Sequence, residues 1–427
     1  LGARAAALNV LQSLFFSERP LHEGLEKFIS KAGMDPRDTA FARAIVMTVL
    51  RRLGEIDGIL KNFLHKGLPV RSGPAELILR MATAELVFMD VPAHATVSSV
   101  VNMADSDHRA RHFKGLINAV ARRVAAEGKQ IAATQDAAQL NMPTWAWQLL
   151  EQSYGESAAR GIGMGHMIEP HLDLTCASDQ EGWAKQLDAV LLPTGSLRRK
   201  PGGRVEDLPG YASGQWWVQD AASAMPARLL GDIKGKAVID LCAAPGGKTA
   251  QLAAAGANVT AIDLDPARLS RVRENMQRLH LKADLQAADA RTWRPPAPVD
   301  AVLLDAPCSA TGTARRHPEV LWRKDFSDIL AQAGLQHDII DAAAEMVAPG
   351  GLLVYCVCSL APEEGEDVVD AFLKRNKSFA REPVTPVDCG GEAAFVTKAG
   401  DLRTLPCHWP DLGSLDGFFA ARLRRTT

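Results

Sequence analysis

The chain has 427 residues, 47% hydrophobic and 23% charged, the composition of a folded globular protein with material for two or three domains. No apolar run approaches the roughly 18 to 20 residues that cross a bilayer, so a membrane partner is not expected and the chain is read as soluble and cytoplasmic. The net charge of −2 conceals an asymmetry, because residues 1–130 hold 18 Lys and Arg against 13 Asp and Glu while the remainder is acidic. A basic N-terminal part suits a phosphate-rich partner, although a solvated helical surface carries the same signature.

Apolar residues at helical spacing predict helices over 5–16, 21–32, 39–63, 75–88, 95–103 and 113–126. Pro20, Pro36, Pro69, Pro74 and Pro92 fall between them, where a missing amide hydrogen does least harm. Residues 1–130 therefore read as an all-α domain, and the small-residue segment 127–141 as a linker. A small α+β module is expected over 143–213, with helices near 145–154 and 181–187, strands over 171–177 and 189–192, and an exposed loop over 198–204. From 214 to 427 strands and helices alternate. Strands are predicted at 237–241, 258–262, 283–287, 299–305 and 351–357, with helices over 249–255, 266–279 and 339–347. That spacing indicates a doubly wound, mostly parallel α/β sheet.

The first strand of that sheet runs into Asp240-Leu241-Cys242-Ala243-Ala244-Pro245-Gly246-Gly247-Lys248-Thr249, a turn of small residues opening a helix. Ligands of open α/β sheets sit at such carboxyl ends. The turn has no GxGxxG, and the first glycine that a GxxxxGKT phosphate loop requires is replaced by Cys242. Asp263, Asp289 and Asp305 close the next strands. Asp263 stands at the distance from the turn at which an acidic residue meets a ribose diol, Asp289 can reach an adenine amino group, and Asp305 faces a reaction centre. A single aspartate is more often a cap or turn residue. Three on successive strand ends suit S-adenosylmethionine, whose sulfonium is cationic and whose carboxylate can rest at a helix N-terminus.

The cysteines are Cys176, Cys242, Cys308, Cys356, Cys358, Cys389 and Cys407, an odd number without paired CxxC clusters, so reduced thiols and no metal are expected. Cys308 lies in Asp305-Ala306-Pro307-Cys308-Ser309-Ala310-Thr311-Gly312 and Cys358 in Tyr355-Cys356-Val357-Cys358-Ser359-Leu360, each closing a strand next to the cofactor turn. Cys176, Cys389 and Cys407 read as small buried hydrophobes.

These segments, with Pro362-Glu363-Glu364 and Arg315-Arg316-His317-Pro318, resemble the RNA (cytosine-5) methyltransferases of the Nop/Sun type. The helical region ahead of the core is similar to the NusB-like domain of the bacterial branch acting on small-subunit ribosomal RNA. The likeness spans nearly the whole chain, is specific over 238–366 and is weaker before 130. It implies a multidomain protein with a NusB-like RNA-binding domain over 1–130, an RNA-recognition module over 143–213 and a Rossmann-like methyltransferase domain over 214–427. It also implies S-adenosylmethionine as cofactor and ribosomal RNA as partner; a monomer is expected, though the sequence itself does not set the oligomeric state. By the same resemblance Cys358 attacks cytosine C6, Cys308 assists product release, Asp305 binds the N3 and amino edge, and Lys248 supports that region electrostatically.

The chemistry agrees, because cytosine C5 is too poor a nucleophile until a thiolate has added at C6. Arg198, Arg199, Lys200, Arg204, Arg315, Arg316 and Arg323 are the candidate phosphate contacts, and Trp216 and Trp217 could stack on bases or pack inside. Two alternatives stand beside this reading. A DNA cytosine-5 methyltransferase would attack with the Pro307-Cys308 thiol, which leaves Cys358 without a purpose. A non-catalytic RNA-binding or antitermination factor would not need an intact cofactor turn.

Overall fold

The computed structural model describes residues 2–17, 19–69 and 71–427. They form two units, Leu1–Trp147 and Gln148–Thr427, and the division falls inside the helix Thr144–Tyr154.

The first unit is helical. Asp35 accepts a hydrogen bond from the Asp38 amide at 2.8 Å and Pro36 sits in the first turn, which together start helix Pro36–Arg51. The single helix expected over 39–63 is two, because Arg52 leaves helical geometry (φ −113°, ψ 19°) before helix Leu53–Lys61. Leu50, Leu53 and Ile56 are all buried across that break. The expected linker is also structured: helix Lys114–Ala132 runs into it, a further turn covers Ala137–Leu140, and Asn141 exchanges hydrogen bonds with the side chain (2.6 Å) and amide (3.1 Å) of the buried Glu55. Small residues there resemble a linker in sequence, but Gly128, Ala138 and Asn141 are buried.

The second unit opens with helix Glu156–Met167, which the sequence reading did not identify, and a small antiparallel sheet. Its strands are β1 (Leu172–Cys176), β2 (Val190–Leu191), β3 (Leu197–Arg199) and β4 (Trp216–Val218), in the order β2-β3-β1-β4. The module thus takes its last strand from residues just beyond 213, and part of the supposed loop at 198–204 is β3.

The large sheet has eight strands. In chain order they are β5 (Ala237–Leu241), β6 (Asn258–Asp263), β7 (Asp284–Ala287), β8 (Val299–Asp305), β9 (Val347–Val357), β10 (Phe379–Arg381), β11 (Leu402–Thr404) and β12 (Phe418–Arg425). The spatial order is β10-β12-β9-β8-β5-β6-β7, with β11 also on β12. Strands β9, β8, β5, β6 and β7 are parallel, whereas β12 runs antiparallel to β9. Both faces are covered: Ile239, Leu241, Val302, Leu304, Leu353 and Tyr355 fill one core, and Val238, Ala301, Leu303, Val354 and Cys356 the other. That accounts for the near-continuous apolar runs of the parallel strands. Chain order reverses at β5, between β8 and β6, and this switch point opens a crevice at the carboxyl ends.

Candidate active site

The crevice is built from the turn after β5. Cys242 takes a left-handed backbone (φ 61°), Asp263 closes β6, and its Oδ2 accepts the Ala244 amide at 3.0 Å. Gly246 has φ 102°, and an added Cβ would meet Val272 at 3.0 Å, so glycine is required where the chain turns into helix Gly247–Ala254. Beneath the turn Asp240 is fully buried and accepts from the Thr249 hydroxyl at 2.6 Å. Burial pushes its carboxyl up to about 7, a shift the Thr249 hydroxyl opposes.

The expected cofactor aspartates differ in surroundings. Asp263 is 2% exposed, also accepts the Asp265 amide at 3.1 Å, and lies 3.5 Å from the Arg268 guanidinium. Asp289, beyond β7, is gripped by Arg291 through its guanidinium at 2.6 Å and its amide at 2.9 Å, which holds the carboxyl below its ordinary range.

Asp305 ends β8 beside Lys248 and Cys356. Its Oδ2 accepts from Lys248 Nζ at 2.8 Å, and its Oδ1 lies 3.5 Å from Cys356 Sγ. Lys248 also donates to Ser223 Oγ at 3.0 Å and stands over the Phe418 ring. Burial works to discharge this lysine, but the charge and hydrogen bond of Asp305 together with the neighbouring Cys356 and Cys358 outweigh it, and the ammonium is held above the usual lysine range. Cys308 and Cys358 come from different strand ends, and their sulfurs are 3.5 Å apart. The hydrogen bond with Cys358, aided by burial, pushes the Cys308 thiol well above its ordinary value.

A cavity of about 600 Å³ opens here. Lys248, Asp305, Cys358, Ser223, Trp217 and Phe418 contribute to its lining, a size suited to a small ligand or a single base. Thus Lys248, Asp305, Cys308 and Cys358 form one cluster, with Asp263 and Asp289 on the neighbouring strand ends. Ser223 and Phe418 were not singled out from the sequence. Phe418 arrives on antiparallel β12, whose place in the sheet no local pattern discloses.

Three of the arginines expected on RNA, Arg198, Arg315 and Arg316, are instead engaged by acceptors of the protein itself. Arg198 is 4% exposed, and its guanidinium meets Asp173 at 2.6 and 2.7 Å across the β1–β3 pair. Arg315 is fully buried and donates to the Gly413 carbonyl at 2.7 Å. Arg316 spends all three nitrogens on Asp416 (3.0 Å), Asp220 (2.7 Å) and the His171 carbonyl (3.1 Å). These three are engaged within the fold: Arg198 and Arg316 have their donors taken by acceptors distant in sequence, and Arg315 is enclosed with its guanidinium 3.6 Å from Asp416. Arg199 is half-buried and donates to the Leu187 and Gly202 carbonyls, both at 3.0 Å. Trp216 is buried with its N–H on the Pro209 carbonyl, so packing accounts for it, while Trp217 donates to Gln219 and walls the cavity.

A doubly wound sheet whose switch-point crevice holds an acidic strand-end series and a thiol pair defines a methyltransferase class, and the comparisons with known proteins agree. Residues 227–424 match the family described as 16S rRNA methyltransferase RsmB/F, and residues 1–126 match the NusB family. The chain belongs to the RsmB/F methyltransferase family. Its particular similarity is to ribosomal RNA small subunit methyltransferase B. The protein of that name from Vibrio cholerae is 35% identical over 399 residues, covering 88% of this chain and 90% of its own length. The one from Xanthomonas campestris pv. campestris is 34% identical over 449 residues, covering 100% and 98%. Among solved structures, PH0851 superposes with a TM-score of 0.79 at 21% identity, covering 100% of this chain and 99% of its own, a likeness of fold. NSun6 from Pyrococcus horikoshii with SFG gives 0.57 at 21% identity, covering 67% and 98%.

Proposed function

We propose that this chain is an S-adenosylmethionine-dependent RNA (cytosine-5) methyltransferase that modifies a cytosine of small-subunit ribosomal RNA through a covalent Cys358–C6 adduct. The observation that carries the reading is the pair of sulfurs 3.5 Å apart beside a Lys248–Asp305 ion pair at the rim of a base-sized cavity.

The residues fit the cofactor. Asp263 keeps lone pairs beyond those used by its two backbone donors, as a ribose diol requires. Leu264 beside it is 69% exposed, an apolar side chain that an adenine ring would cover. The small-residue turn from Cys242 through Ala243, Ala244, Pro245, Gly246 and Gly247 would carry the remaining backbone contacts. S-adenosylmethionine supplies the methyl group.

The chain's own groups do the rest. Cys358 faces the cavity and adds to C6 of a base flipped out of its stack. Asp305 accepts from the cytosine amino edge and favours protonation at N3 as the adduct forms. Lys248, held charged, stabilises the charge that develops there. Once C5 carries the methyl group its proton passes to solvent water, the electron pair of that C–H bond re-forms the C5–C6 double bond, the C6–sulfur bond breaks, and Cys358 leaves as thiolate. Cys308, kept protonated, sits where its S–H can donate a hydrogen bond to the leaving thiolate. The helical unit, with its excess of basic residues, contributes RNA selection and no chemistry. Ribosomal RNA as substrate also makes the cytoplasm the place of action.

Bisulfite sequencing of ribosomal RNA from cells with and without the gene tests the reading. One small-subunit cytosine should lose its protection when the gene is absent, and an unchanged methylation pattern would reject the proposal.

A further inference from the structure

The sheet ladder does not reach the two thiols. Strands β8 and β9 stay paired through Asp305 and Cys356, and the last backbone bond of the ladder runs from the Ala306 amide to the Cys356 carbonyl at 2.9 Å. Beyond it the chains diverge into two turns, one carrying Cys308 and the other Cys358. Something other than the ladder must hold the sulfurs in contact.

Glu364 stands between those turns. It ends the short turn Pro362–Glu364, is fully buried, and receives neutral donors on both oxygens. Oε1 accepts from the Ser309 amide at 2.7 Å and from Gln336 Nε2 at 3.1 Å. Oε2 accepts from the hydroxyls of Ser309 and Ser359, each at 2.5 Å. Ser309 follows Cys308 and Ser359 follows Cys358, so one carboxylate is bonded to the neighbour of each thiol. Gln336 extends the grip by donating to the Pro307 carbonyl at 2.8 Å, and Tyr355 donates to the Glu364 carbonyl at 2.6 Å. A second tie runs from the Gly312 amide to the Cys358 carbonyl at 3.0 Å; a Cβ at Gly312 would lie 2.1 Å from the Gly417 carbonyl oxygen, so only glycine permits it. A buried carboxylate is unfavourable unless its lone pairs are satisfied. Here they are satisfied by donors from the turns whose spacing the thiol chemistry depends on.

We infer that Glu364 is a positioning residue of the thiol centre, its carboxylate bridging Ser309 and Ser359 so that Cys308 and Cys358 stay in contact through the reaction. This rests on the proposed roles of the two thiols. Glu364 does not touch the cavity, so its loss should spare cofactor and RNA binding. The cost falls on adduct breakdown, which needs Cys308 against the sulfur bonded to the base.

Two measurements on the full chain test it. The first is turnover of Glu364→Ala, whose kcat should fall by about 100-fold, the scale of an ångström misplacement. Its RNA KM and cofactor Kd should stay within about twofold of the parent. The denaturation-resistant protein–RNA species should accumulate. Glu364→Gln should recover part of the rate, because its amide oxygen still accepts the Ser309 amide and its NH2 can donate to a serine hydroxyl. A purely structural role would instead lower thermal stability and cofactor binding together, with no gain in trapped adduct.

The second measurement does not depend on methylation. Phenylarsine oxide joins two neighbouring thiols through As–S bonds; both thiol protons leave with the oxide oxygen as water, and arsenic keeps its oxidation state. The parent should be captured across Cys308 and Cys358, as read by peptide mapping, and Cys308→Ser should not. Glu364→Ala should be captured about tenfold more slowly if the turns part. Capture and turnover equal to the parent would overturn the inference. Should Glu364→Ala not fold, Glu364→Gln and the Ser309→Ala/Ser359→Ala pair carry the same comparison. If Cys308→Ser traps no adduct, the proposed thiol roles fail, while the arsenical result still decides the positioning.

Discussion

Replacing Asp263 by alanine tests the proposed ribose contact. The carboxylate is 2% exposed and accepts the Ala244 and Asp265 amides at 3.0 and 3.1 Å, one on each oxygen, leaving a lone pair on each for a ligand. Removing a buried acceptor from a bound hydroxyl pair costs about 1 to 3 kcal/mol. That weakens Kd by roughly 5- to 150-fold. The Arg268 partner is 54% exposed and also donates to the Ala244 carbonyl at 2.9 Å, so loss of the ion pair itself costs little. Asp263→Asn keeps one acceptor oxygen and should fall between parent and alanine. Calorimetric titration of the full chain with S-adenosylmethionine measures it directly. A folded Asp263→Ala protein with the parent's affinity would refute this placement of the ribose.

Arg198→Ala should destabilise the protein by about 3 to 5 kcal/mol, because it strands the buried Asp173 carboxylate. Urea melts would show this, while RNA affinity per folded molecule stays unchanged; lost RNA affinity at unchanged stability would restore Arg198 to the RNA surface. Asp240 gives a pH signature. Burial lifts its carboxyl to about 7 from 3.8, so between those values the folded chain holds a proton the unfolded chain has released. Stability from this group is therefore complete below about pH 4 and is lost as pH rises toward and past 7. Asp240→Asn removes that slope, and its stability relative to the parent should improve from pH 5 to pH 8; parallel melting curves would contradict the assignment.

The parallel half of the sheet was legible because its central strands are buried on both faces and so read as short apolar runs ending in Asp240-Leu241, Asp263 and Asp305. The turn from Cys242 to Lys248 and the thiol segments were legible as local strings. What escaped is non-local. Strands β10, β11 and β12 gain their register only by pairing with β9 and one another, so nothing near Phe418 signals that it reaches Lys248. Arg198, Arg315 and Arg316 resembled surface cations because Asp173, Asp220 and Asp416 stand far from them in sequence. Glu364 was visible as part of a familiar string, yet its task appears only when Ser309 and Ser359 meet on its carboxylate.

The central claim is the division of labour between two touching thiols, and a denaturing gel of each serine variant incubated with cofactor and ribosomal RNA tests it most directly. Serine stays protonated near neutral pH and is a far poorer nucleophile than a thiolate. Cys358→Ser should therefore lose both methylation and the covalent band, whereas Cys308→Ser should lose turnover and accumulate that band. A band from Cys358→Ser and none from Cys308→Ser would reverse the roles, and methylation retained by both variants without any band would contradict the covalent mechanism.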